Sequence, residues 1–273
     1  MNVCAITGSD GVLGKRIRKT LPFKFYNFKK NITNKKDVEK WVNSKNFDLV
    51  IHLAAIVPTN LVNKNFENAK KVNVKGTEYL LKALLKKKKK PKWFFLASTS
   101  HVYGLTSRFK KISEKSKAKP STKYGHSKKM AEKKVIKNLK KSKINFCIGR
   151  IFSFTDKNQK DPFVIPSLNK KIKNGKKKLN MENLNHYRDF LSTIDICKAI
   201  KILYKKKATG IFNIGSGKKF LLKDIAELIA KKYKKKINFK KNKKLSYLIS
   251  DNKKITKLGW KPKKFVNNLK YFY

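Results

Sequence analysis

Acidic residues are scarce in this chain of 273 residues, which has 16 Asp and Glu against 71 Lys and Arg and a formal net charge of +55. Such a charge, taken alone, favours a nucleic acid or an anionic membrane as partner. Arginine is scarce as well, because 66 of the basic residues are lysines and five are arginines. Proteins that read nucleic acid favour arginine for its bidentate guanidinium. We therefore interpret the lysines as a solvated coat and expect no specific nucleic-acid partner, with functional polyanion binding as the alternative.

Cysteines and long apolar runs are also few. Cys4, Cys147 and Cys197 are far apart in apolar segments, which is typical of buried thiols in a reducing compartment. Their spacing fits no zinc site, so we expect no metal. The chain begins with an apolar strand instead of a signal peptide, and no apolar run reaches the roughly 18 residues that span a bilayer. These features predict a soluble, cytoplasmic protein without a membrane span.

Short apolar runs alternate with amphipathic segments through the first part of the chain. Nearly continuous apolar strands are typical of a parallel sheet that is buried on both faces, and helical crossovers connect such strands. The pattern therefore predicts an α/β fold with a doubly wound parallel sheet. The predicted strands are Val3 to Thr7, Lys24 to Phe28, Leu49 to Leu53, Trp93 to Ser98 and Asn145 to Arg150, and the clearest helices are Ala69 to Leu85 and Tyr124 to Leu139.

The alternation weakens after Arg150, and this predicts a second, smaller lobe. Residues 155–187 contain Pro162, Pro166, Gly175 and many Asn and Lys, and they match no strand-helix repeat. A strand at 210–215 and a helix from Leu222 to about Tyr233 follow. We predict a dinucleotide-binding Rossmann domain over residues 1–154 with a returning segment at about 188–214. A discontinuous substrate-binding lobe then comprises residues 155–187 and 215–273.

A glycine-rich loop follows the first strand directly. Gly8, Gly11 and Gly14 are spaced G-x-x-G-x-x-G and precede a helical segment. Such glycines permit the turn, the close approach of backbone to a pyrophosphate and the packing of helix on strand. The N-terminus of the helix then presents free N–H groups and a positive dipole to the phosphates. The loop predicts that a dinucleotide, NAD or NADP, is bound here.

Tyr124 and Lys128 are four residues apart and so lie on one face of a helix. A nearby cation favours the phenolate, although lowering the pKa of a tyrosine from about 10 to near neutrality requires roughly 4 kcal/mol. Lys128 and a positive nicotinamide ring are expected to supply this, so that Tyr124 serves as general acid or base. About 25 residues earlier a strand ends in the hydroxyl residues Thr99 and Ser100. The alternative is that this Ser/Thr cluster simply caps the strand.

In this order, the loop, the hydroxyl segment before Val102-Tyr103-Gly104 and the Tyr-x-x-x-Lys motif resemble the extended branch of the short-chain dehydrogenase/reductases. The resemblance is to the NAD-dependent epimerase/dehydratase family, which acts on nucleotide sugars, and it covers almost the whole chain. It implies that Thr99, Tyr124 and Lys128 are catalytic. It also implies that the cofactor is bound by the loop residues Gly8, Asp10, Gly11, Val12, Leu13 and Gly14.

The resemblance implies further cofactor contacts. These are Asn31 and Ile32 beside the adenine, Leu53, Ala54 and Ala55 over the cofactor, and Asn73 before a Gly-Thr pair. A carboxylate at the end of the second strand selects NAD, but this chain has Asn27 there, followed by Lys29 and Lys30. Asn27 is expected to contact the ribose, and the choice between NAD and NADP stays open.

The resemblance also implies substrate contacts at Ser100, at Ser153, which stands in place of the family's Asn, and at Arg188. Arg188-Asp189-Phe190 resembles a segment whose arginine pairs with the nucleotide diphosphate, because a guanidinium suits bidentate phosphate contacts. A surface salt bridge between Arg188 and Asp189 is the alternative.

Dehydratases of the family carry an Asp-Glu pair where this chain has Ser100 and His101, which disfavours dehydration. His101 is either a structural residue or a local acid. We expect an NAD(P)-dependent epimerase or reductase of a nucleotide sugar, feeding surface-polysaccharide synthesis and dimerising through the two helices named above. The alternative is a non-catalytic dinucleotide-binding protein whose lysine-rich surface binds RNA or an anionic membrane.

Overall fold

The computed structural model describes residues 1–240 and 245–263. Its strands in chain order are β1 (Val3–Thr7), β2 (Lys24–Phe28), β3 (Leu49–His52), β4 (Trp93–Thr99), β5 (Lys111–Ile112), β6 (Asn145–Ile151), β7 (Ser153–Thr155), β8 (Lys178–Met181), β9 (His186–Arg188), β10 (Phe190–Ser192), β11 (Gly210–Ile214), β12 (Phe220–Leu221), β13 (Lys236–Phe239) and β14 (Ser246–Ser250). Its helices are α1 (Val12–Thr20), α2 (Lys35–Asn43), α3 (Thr59–Lys64), α4 (Phe66–Lys70), a π-helix (Lys71–Gly76), α5 (Thr77–Lys86), a 3₁₀ helix (Ser100–Val102), α6 (Lys123–Leu139), α7 (Val164–Asn174), α8 (Thr193–Lys205), α9 (Leu222–Lys232) and α10 (Lys253–Thr256).

Six strands form a parallel sheet in the order β2-β1-β3-β4-β6-β11. The connections leave β1 and β3 in opposite directions, so a topological switch point lies between these two strands. In such sheets ligands bind at the switch point, outside the carboxyl ends of the strands. Thr7 ends β1 there and is paired with His52 of β3. The predicted doubly wound α/β fold is confirmed.

Helices cover both faces of this sheet because its strands are apolar on both sides. One face packs against α1 and α8 through residues such as Ile17 and Leu203. The other face packs against α2, α5 and α6 through residues such as Val38, Leu84 and Val135. Cys4, Cys147 and Cys197 are free and buried, which confirms the prediction of buried thiols.

The helix predicted over Ala69 to Leu85 is interrupted. It consists of α4, the π-helix and α5. A π-helical turn is wider than an α-helical turn, and the apolar spacing of the sequence did not predict it. The π-helix contains Asn73 and ends at Gly76, where a Cβ atom would lie 2.8 Å from a side-chain carbon of Ile32. Close packing against Ile32 therefore requires glycine at this position.

The other elements form smaller sheets and a second core. β12, β9, β14 and β5 form one sheet, and the pairs β10-β7 and β13-β8 form two more. α7 and α9 share an apolar core with Ile172 and Ile229. α7 lies in the stretch where the sequence predicts no repeat. Pro166 stands in its first turn, where the missing N–H group breaks no helical hydrogen bond.

The division into two lobes stays a prediction. β5 lies within residues 1–154 but pairs with β14 of the second lobe. Residues 241–244 and 264–273 of the predicted lobe lie outside the described residues. Within the described ranges, no helix is both long and apolar enough to cross a bilayer.

Candidate functional site

The glycine loop joins β1 to α1 at the switch point. Gly8 has a φ of 70°, in the left-handed region that favours glycine. A Cβ atom would lie 2.7 Å from the Ala54 nitrogen at Gly8, and 2.3 Å from the Gly8 oxygen at Gly14, so packing within the protein requires both glycines. At Gly11, the N-cap of α1, a Cβ atom would meet only the Gly8 oxygen, at 3.4 Å. The open space at Gly11 fits a pyrophosphate at the helix N-terminus.

Asn27 has an unpaired buried acceptor at the end of β2. Its Oδ1 has no hydrogen-bond partner in the described part of the chain, which is unusual for a buried polar atom and fits a ribose hydroxyl. Asn31, in contrast, accepts hydrogen bonds from the N–H and the hydroxyl of Thr33, and Ile32 is packed in the core. Asp10 is exposed, 3.7 Å from Arg18. Of these positions, Asn27 fits a ligand best, because its buried acceptor has no hydrogen-bond partner in the described residues.

Asn73 is fully buried, and the protein uses both donors of its carboxamide. It donates to the Ile56 carbonyl at 3.1 Å and to the Ser127 hydroxyl at 2.9 Å, and it accepts from the Ile56 N–H at 2.8 Å. Ser127 donates in turn to the Tyr124 carbonyl. Asn73 therefore ties the loop after Ala55 to helix α6, and its predicted contact with the cofactor stays a prediction.

His52, at the end of β3, is a site residue that the sequence reasoning missed. Its Nδ1 lies 2.6 Å from the Thr7 hydroxyl and its Nε2 lies 2.8 Å from the Thr77 hydroxyl. Thr7 accepts from the Ala54 N–H and Thr77 donates to the Asn73 carbonyl, so every group is satisfied when the proton of a neutral imidazole is on Nε2. Burial lowers the pKa of His52 to about 3. The signal in the sequence was one polar residue in an otherwise apolar strand.

Thr99, Tyr124 and Lys128 come together as their spacing predicted. Thr99 ends β4, and the other two lie in the first turns of α6. The Thr99 side chain lies beside the Tyr124 phenol and lowers its pKa. A Cβ atom at Gly125 would lie 2.3 Å from the His101 oxygen, so this glycine allows α6 to approach the segment after β4. All three predicted catalytic side chains are buried.

Burial dominates the charge state of Tyr124. It raises the pKa of the phenol to about 12, against a smaller lowering by the Thr99 side chain. The expectation that Lys128 and a positive nicotinamide ring together favour the phenolate concerns the protein with its cofactor bound, and it stays a prediction. Desolvation opposes the negative charge more strongly than the neighbouring ammonium favours it. The phenol is therefore protonated at neutral pH, which is the form of a general acid.

The Lys128 residue is 3% exposed, and its ammonium donates no hydrogen bond within residues 1–240 and 245–263. Its Nζ is not among the fully enclosed polar atoms that lack a partner, so it is accessible from the site. Burial lowers its pKa to about 8, and Glu132 opposes this shift. A buried ammonium with unfilled donors is costly. Hydroxyl groups such as those of a nucleotide ribose would fill them, so Lys128 fits the predicted cofactor.

Arg188 is a partly buried cation that forms no ion pair with any described residue. It donates to the Tyr187 carbonyl at 2.8 Å and to the Ser246 hydroxyl at 3.1 Å. Asp189 is fully buried and accepts instead from Ser216, Gly217 and Ser250, so the alternative of an Arg188–Asp189 salt bridge is wrong. Burial lowers the pKa of Arg188 to about 10. The Arg188 guanidinium therefore fits an anionic ligand.

The other predicted substrate residues flank these groups. Ser100 follows Thr99 and is buried, and Ser153 begins β7, paired with Phe190 of β10. The His101 ring packs edge-on against the Tyr124 ring at 5.8 Å. Burial and the charge of Arg188 lower the pKa of His101 to about 4, so it is neutral at physiological pH.

The fold and these groups define a dinucleotide-binding α/β protein with a buried Tyr-Lys-Thr cluster. The sequence matches the family described as GDP-mannose 4,6 dehydratase over residues 13–270. The chain belongs to this family, within the extended short-chain dehydrogenase/reductases that act on nucleotide sugars, as the motifs predicted.

Two curated relatives illustrate the range of reactions. The dTDP-D-glucose 4,6-dehydratase of Dictyostelium discoideum is 30% identical over 78% of this chain and 51% of its own length. The chain therefore spans about half the length of that relative. The GDP-6-deoxy-D-talose 4-dehydrogenase of Aggregatibacter actinomycetemcomitans is 26% identical over 87% of this chain and 82% of its own length.

Solved structures share the fold over nearly the whole chain. RMD from Pseudomonas aeruginosa complexed with NADPH has a TM-score of 0.89 at 21% identity and covers 100% of this chain and 97% of its own. The UDP-glucose 4-epimerase of Thermus thermophilus in complex with NAD has a TM-score of 0.84 at 18% identity, covering 99% and 97%. These neighbours hold NADPH and NAD, in agreement with the predicted cofactors.

Replacing Gly11 and Gly14 separates the phosphate contact from packing. Gly11→Ala meets no close atom, so we expect the free energy of unfolding to change by less than about 1 kcal/mol, while affinity for NADH or NADPH falls at least about tenfold. Gly14→Ala is expected to destabilise the protein by about 3 kcal/mol or more. Urea denaturation and fluorescence titration with each cofactor measure both effects. Unchanged affinity in Gly11→Ala would rule out a phosphate at this loop.

Lys128→Met is expected to stabilise the protein. The pKa of Lys128 falls from 10.5 to about 8, so relief from the buried charge adds about 3 kcal/mol to the free energy of unfolding at pH 7. Between pH 8 and 10.5 the unfolded wild-type chain binds more protons than the folded one, so the stability of wild type rises with pH. The advantage of Lys128→Met over wild type therefore shrinks as pH rises. Urea denaturation at pH 7 and pH 10 tests this, with the exposed Lys133→Met as control. A variant less stable than wild type at pH 7 would contradict it.

Proposed function

We propose that the protein is an NAD(P)-dependent epimerase or reductase of a nucleotide sugar. The observation that supports this most is the buried Tyr124 phenol, which interacts with Thr99 and lies one helical turn from the Lys128 ammonium, a group that donates no hydrogen bond within the described ranges. Lys128 also acts electrostatically on His52, which is bonded to Thr7 beside the glycine loop. The dinucleotide loop and the proton-transfer group therefore belong to one site.

The proposed roles follow from the free hydrogen-bonding capacity of each group. Asn27 and Lys128 hold ribose hydroxyls, the loop at Gly11 holds the pyrophosphate, and Arg188 pairs with the diphosphate of the substrate. When bound, the cofactor exchanges a hydride with a ring carbon of the sugar. Tyr124 gives a proton to the oxygen on that carbon, or takes one from it, while Thr99 holds the same oxygen.

With no cofactor bound, Tyr124 is in the protonated form that reduction uses. A protonated phenol donates its proton to a carbonyl oxygen as the carbon accepts hydride, and the phenolate that is left recovers a proton from solvent. Epimerisation begins instead with removal of a proton from a hydroxyl, which needs the phenolate. Since burial raises the pKa of Tyr124 to about 12, the acid form is the one present at neutral pH.

Dehydration is not part of this proposal, although the family carries the name of a dehydratase. Loss of water requires an acid for the leaving hydroxyl and a base for the neighbouring C–H group. Ser100 has no carboxylate, and the neutral His101 has a pKa of about 4, which makes it a weak base. Mass spectrometry after incubation with GDP-mannose and dTDP-glucose tests this point, and a product lacking one water would overturn it.

Tyr124→Phe is expected to lower kcat by about 100- to 10,000-fold, the usual contribution of a general acid, while circular dichroism shows an unchanged fold. Activity is measured with UDP-, dTDP- and GDP-linked sugars and their 4-keto forms by the absorbance of the reduced cofactor. Steady loss of reduced cofactor identifies a reductase, and an isomerised sugar without that loss identifies an epimerase. Tyr79→Phe is the control, and full activity of Tyr124→Phe would refute the assignment.

The rival hypothesis, a non-catalytic protein that binds RNA or membranes, has no support among the relatives named above, which are enzymes.

We also propose a reducing, cytoplasmic compartment. Its support is the three free cysteines, whose thiol pKa burial raises. As part of the proposed enzymatic function, we propose that the protein feeds surface-polysaccharide synthesis.

We propose a homodimer formed by the outer faces of α5 and α6. The exposed lysines Lys82, Lys86, Lys133 and Lys137 lie on these helices beside the partly buried Ile136. Two such faces repel each other, so we expect the dimer to tighten as salt screens the charges and Ile136→Lys to abolish it. Analytical ultracentrifugation at low and high salt measures this. A dimer that survives Ile136→Lys would place the interface elsewhere.

A further inference from the structure

A buried ion pair lies beside the proposed catalytic residues and has no role in the mechanism above. Glu132 follows Lys128 by one turn of α6, and both it and Arg150 of β6 are buried. Oε1 of Glu132 accepts hydrogen bonds from the Ser98 hydroxyl and from Nε of Arg150, and Oε2 accepts from Nη2 of Arg150 at 2.7 Å. The partners of this carboxylate are thus held by the neighbouring strands β4 and β6.

Arg150 is held from a second side. Its guanidinium carbon lies 4.7 Å from the centre of the Tyr103 ring, and the Tyr103 hydroxyl donates to Asn213 at 2.7 Å. A buried ion pair does not by itself stabilise a fold, because desolvation of both charges offsets their attraction. The position of Glu132 next to Lys128 therefore points to an effect on the site.

Glu132 is the negative charge near Lys128. Two titratable groups interact electrostatically with Lys128: Glu132, one turn further along α6, and His52 on β3. Tyr124 lies one turn before Lys128 on the same helix, and Arg150 and Tyr103 surround Glu132. Burial keeps Tyr124, His52 and Tyr103 neutral, since it raises the pKa of both phenols and lowers that of the imidazole. Glu132 opposes the effect of burial on Lys128. The charge of the ammonium therefore depends on this carboxylate.

We propose that Glu132 is a positioning residue whose carboxylate, fixed by Ser98 and Arg150, keeps the buried Lys128 charged, and that its bond to Ser98 fixes the end of the strand that carries Thr99. The first part is a property of the protein alone. The consequence for turnover rests on the proposed function, so the two are tested separately.

The first experiment needs no substrate. Wild type, Lys128→Met, Glu132→Gln and the double variant are unfolded with urea from pH 6 to pH 10. The effect of Lys128→Met on stability changes with pH across the pKa of Lys128. In the wild-type background, we expect the difference in free energy of unfolding caused by Lys128→Met to begin to change near pH 8. In the Glu132→Gln background, we expect this inflection at least about one pH unit lower, which corresponds to a tenfold change in proton affinity. The same inflection in both backgrounds would overturn the proposal.

If Glu132→Gln does not fold because Arg150 is left unpaired, Glu132→Gln/Arg150→Met replaces it in the cycle. This variant removes both charges and leaves no buried ion without a partner. The same downward shift is expected, since Arg150 is not among the groups that set the pKa of Lys128. A purely structural role of Glu132 predicts no shift.

The second experiment uses turnover. We expect the alkaline limb of the kcat profile of Glu132→Gln to move down by about one pH unit, whereas Ser98→Ala, which keeps the carboxylate, leaves the limb in place. An unmoved limb in Glu132→Gln, or an equal shift in Ser98→Ala, would contradict the proposal. If wild type turns over no nucleotide sugar, the proposed function fails, and the unfolding cycle still decides the role of Glu132.

Discussion

The cost of removing one cation from water constrains much of this site. Lys128 is buried to 3% exposure and donates no hydrogen bond in the described ranges, and the negative charge beside it is already bound by Arg150. In a protein interior such a charge is tolerated only where something compensates it. Part of that compensation comes from Glu132 through space, and the rest is available to a ligand that brings hydroxyl oxygens. The ammonium therefore costs stability in the folded protein and provides affinity in a complex.

Satisfied and unsatisfied polar groups differ in their role, and this difference distinguishes the scaffold from the binding surface. Thr7, His52, Thr77, Asn73 and Ser127 form one connected set of hydrogen bonds from the glycine loop to helix α6. Each member has its partners within the protein, so the set fixes the distance between the dinucleotide loop and the helix that carries Tyr124. Among the proposed binding groups, Oδ1 of Asn27 lacks a partner, Lys128 donates no hydrogen bond and Arg188 forms no ion pair within the described ranges. Because the network is complete, ligands are expected to meet a site that is already assembled.

Local patterns of the sequence were enough to predict the parallel sheet, the glycine loop and the Tyr-Lys-Thr cluster, because strands, turns and helix faces are set by neighbouring residues. What they missed depends on contacts between distant segments. The partners of His52 lie 45 and 25 positions away along the chain, and the partner of Glu132 lies 18 positions away. The effect of burial on the pKa of Tyr124 was missed for the same reason. Motif spacing shows the neighbouring Lys128 but not the depth of burial, and burial is the larger effect.

The scarcity of acidic residues helps to interpret the cations that form no ion pair. In a chain with 16 acids and a net charge of +55, several acids serve buried structural positions. Glu132 binds Arg150, Asp156 binds Arg16 and Thr193, and Asp189 binds the turn at Ser216. Arg188 is adjacent to Asp189 in sequence and still forms no ion pair in the described structure. A cation that lies next to a carboxylate without pairing with it, while that carboxylate serves the fold, remains available for an anionic ligand. The lysines of the surface, which water solvates, carry no comparable preference for one ligand.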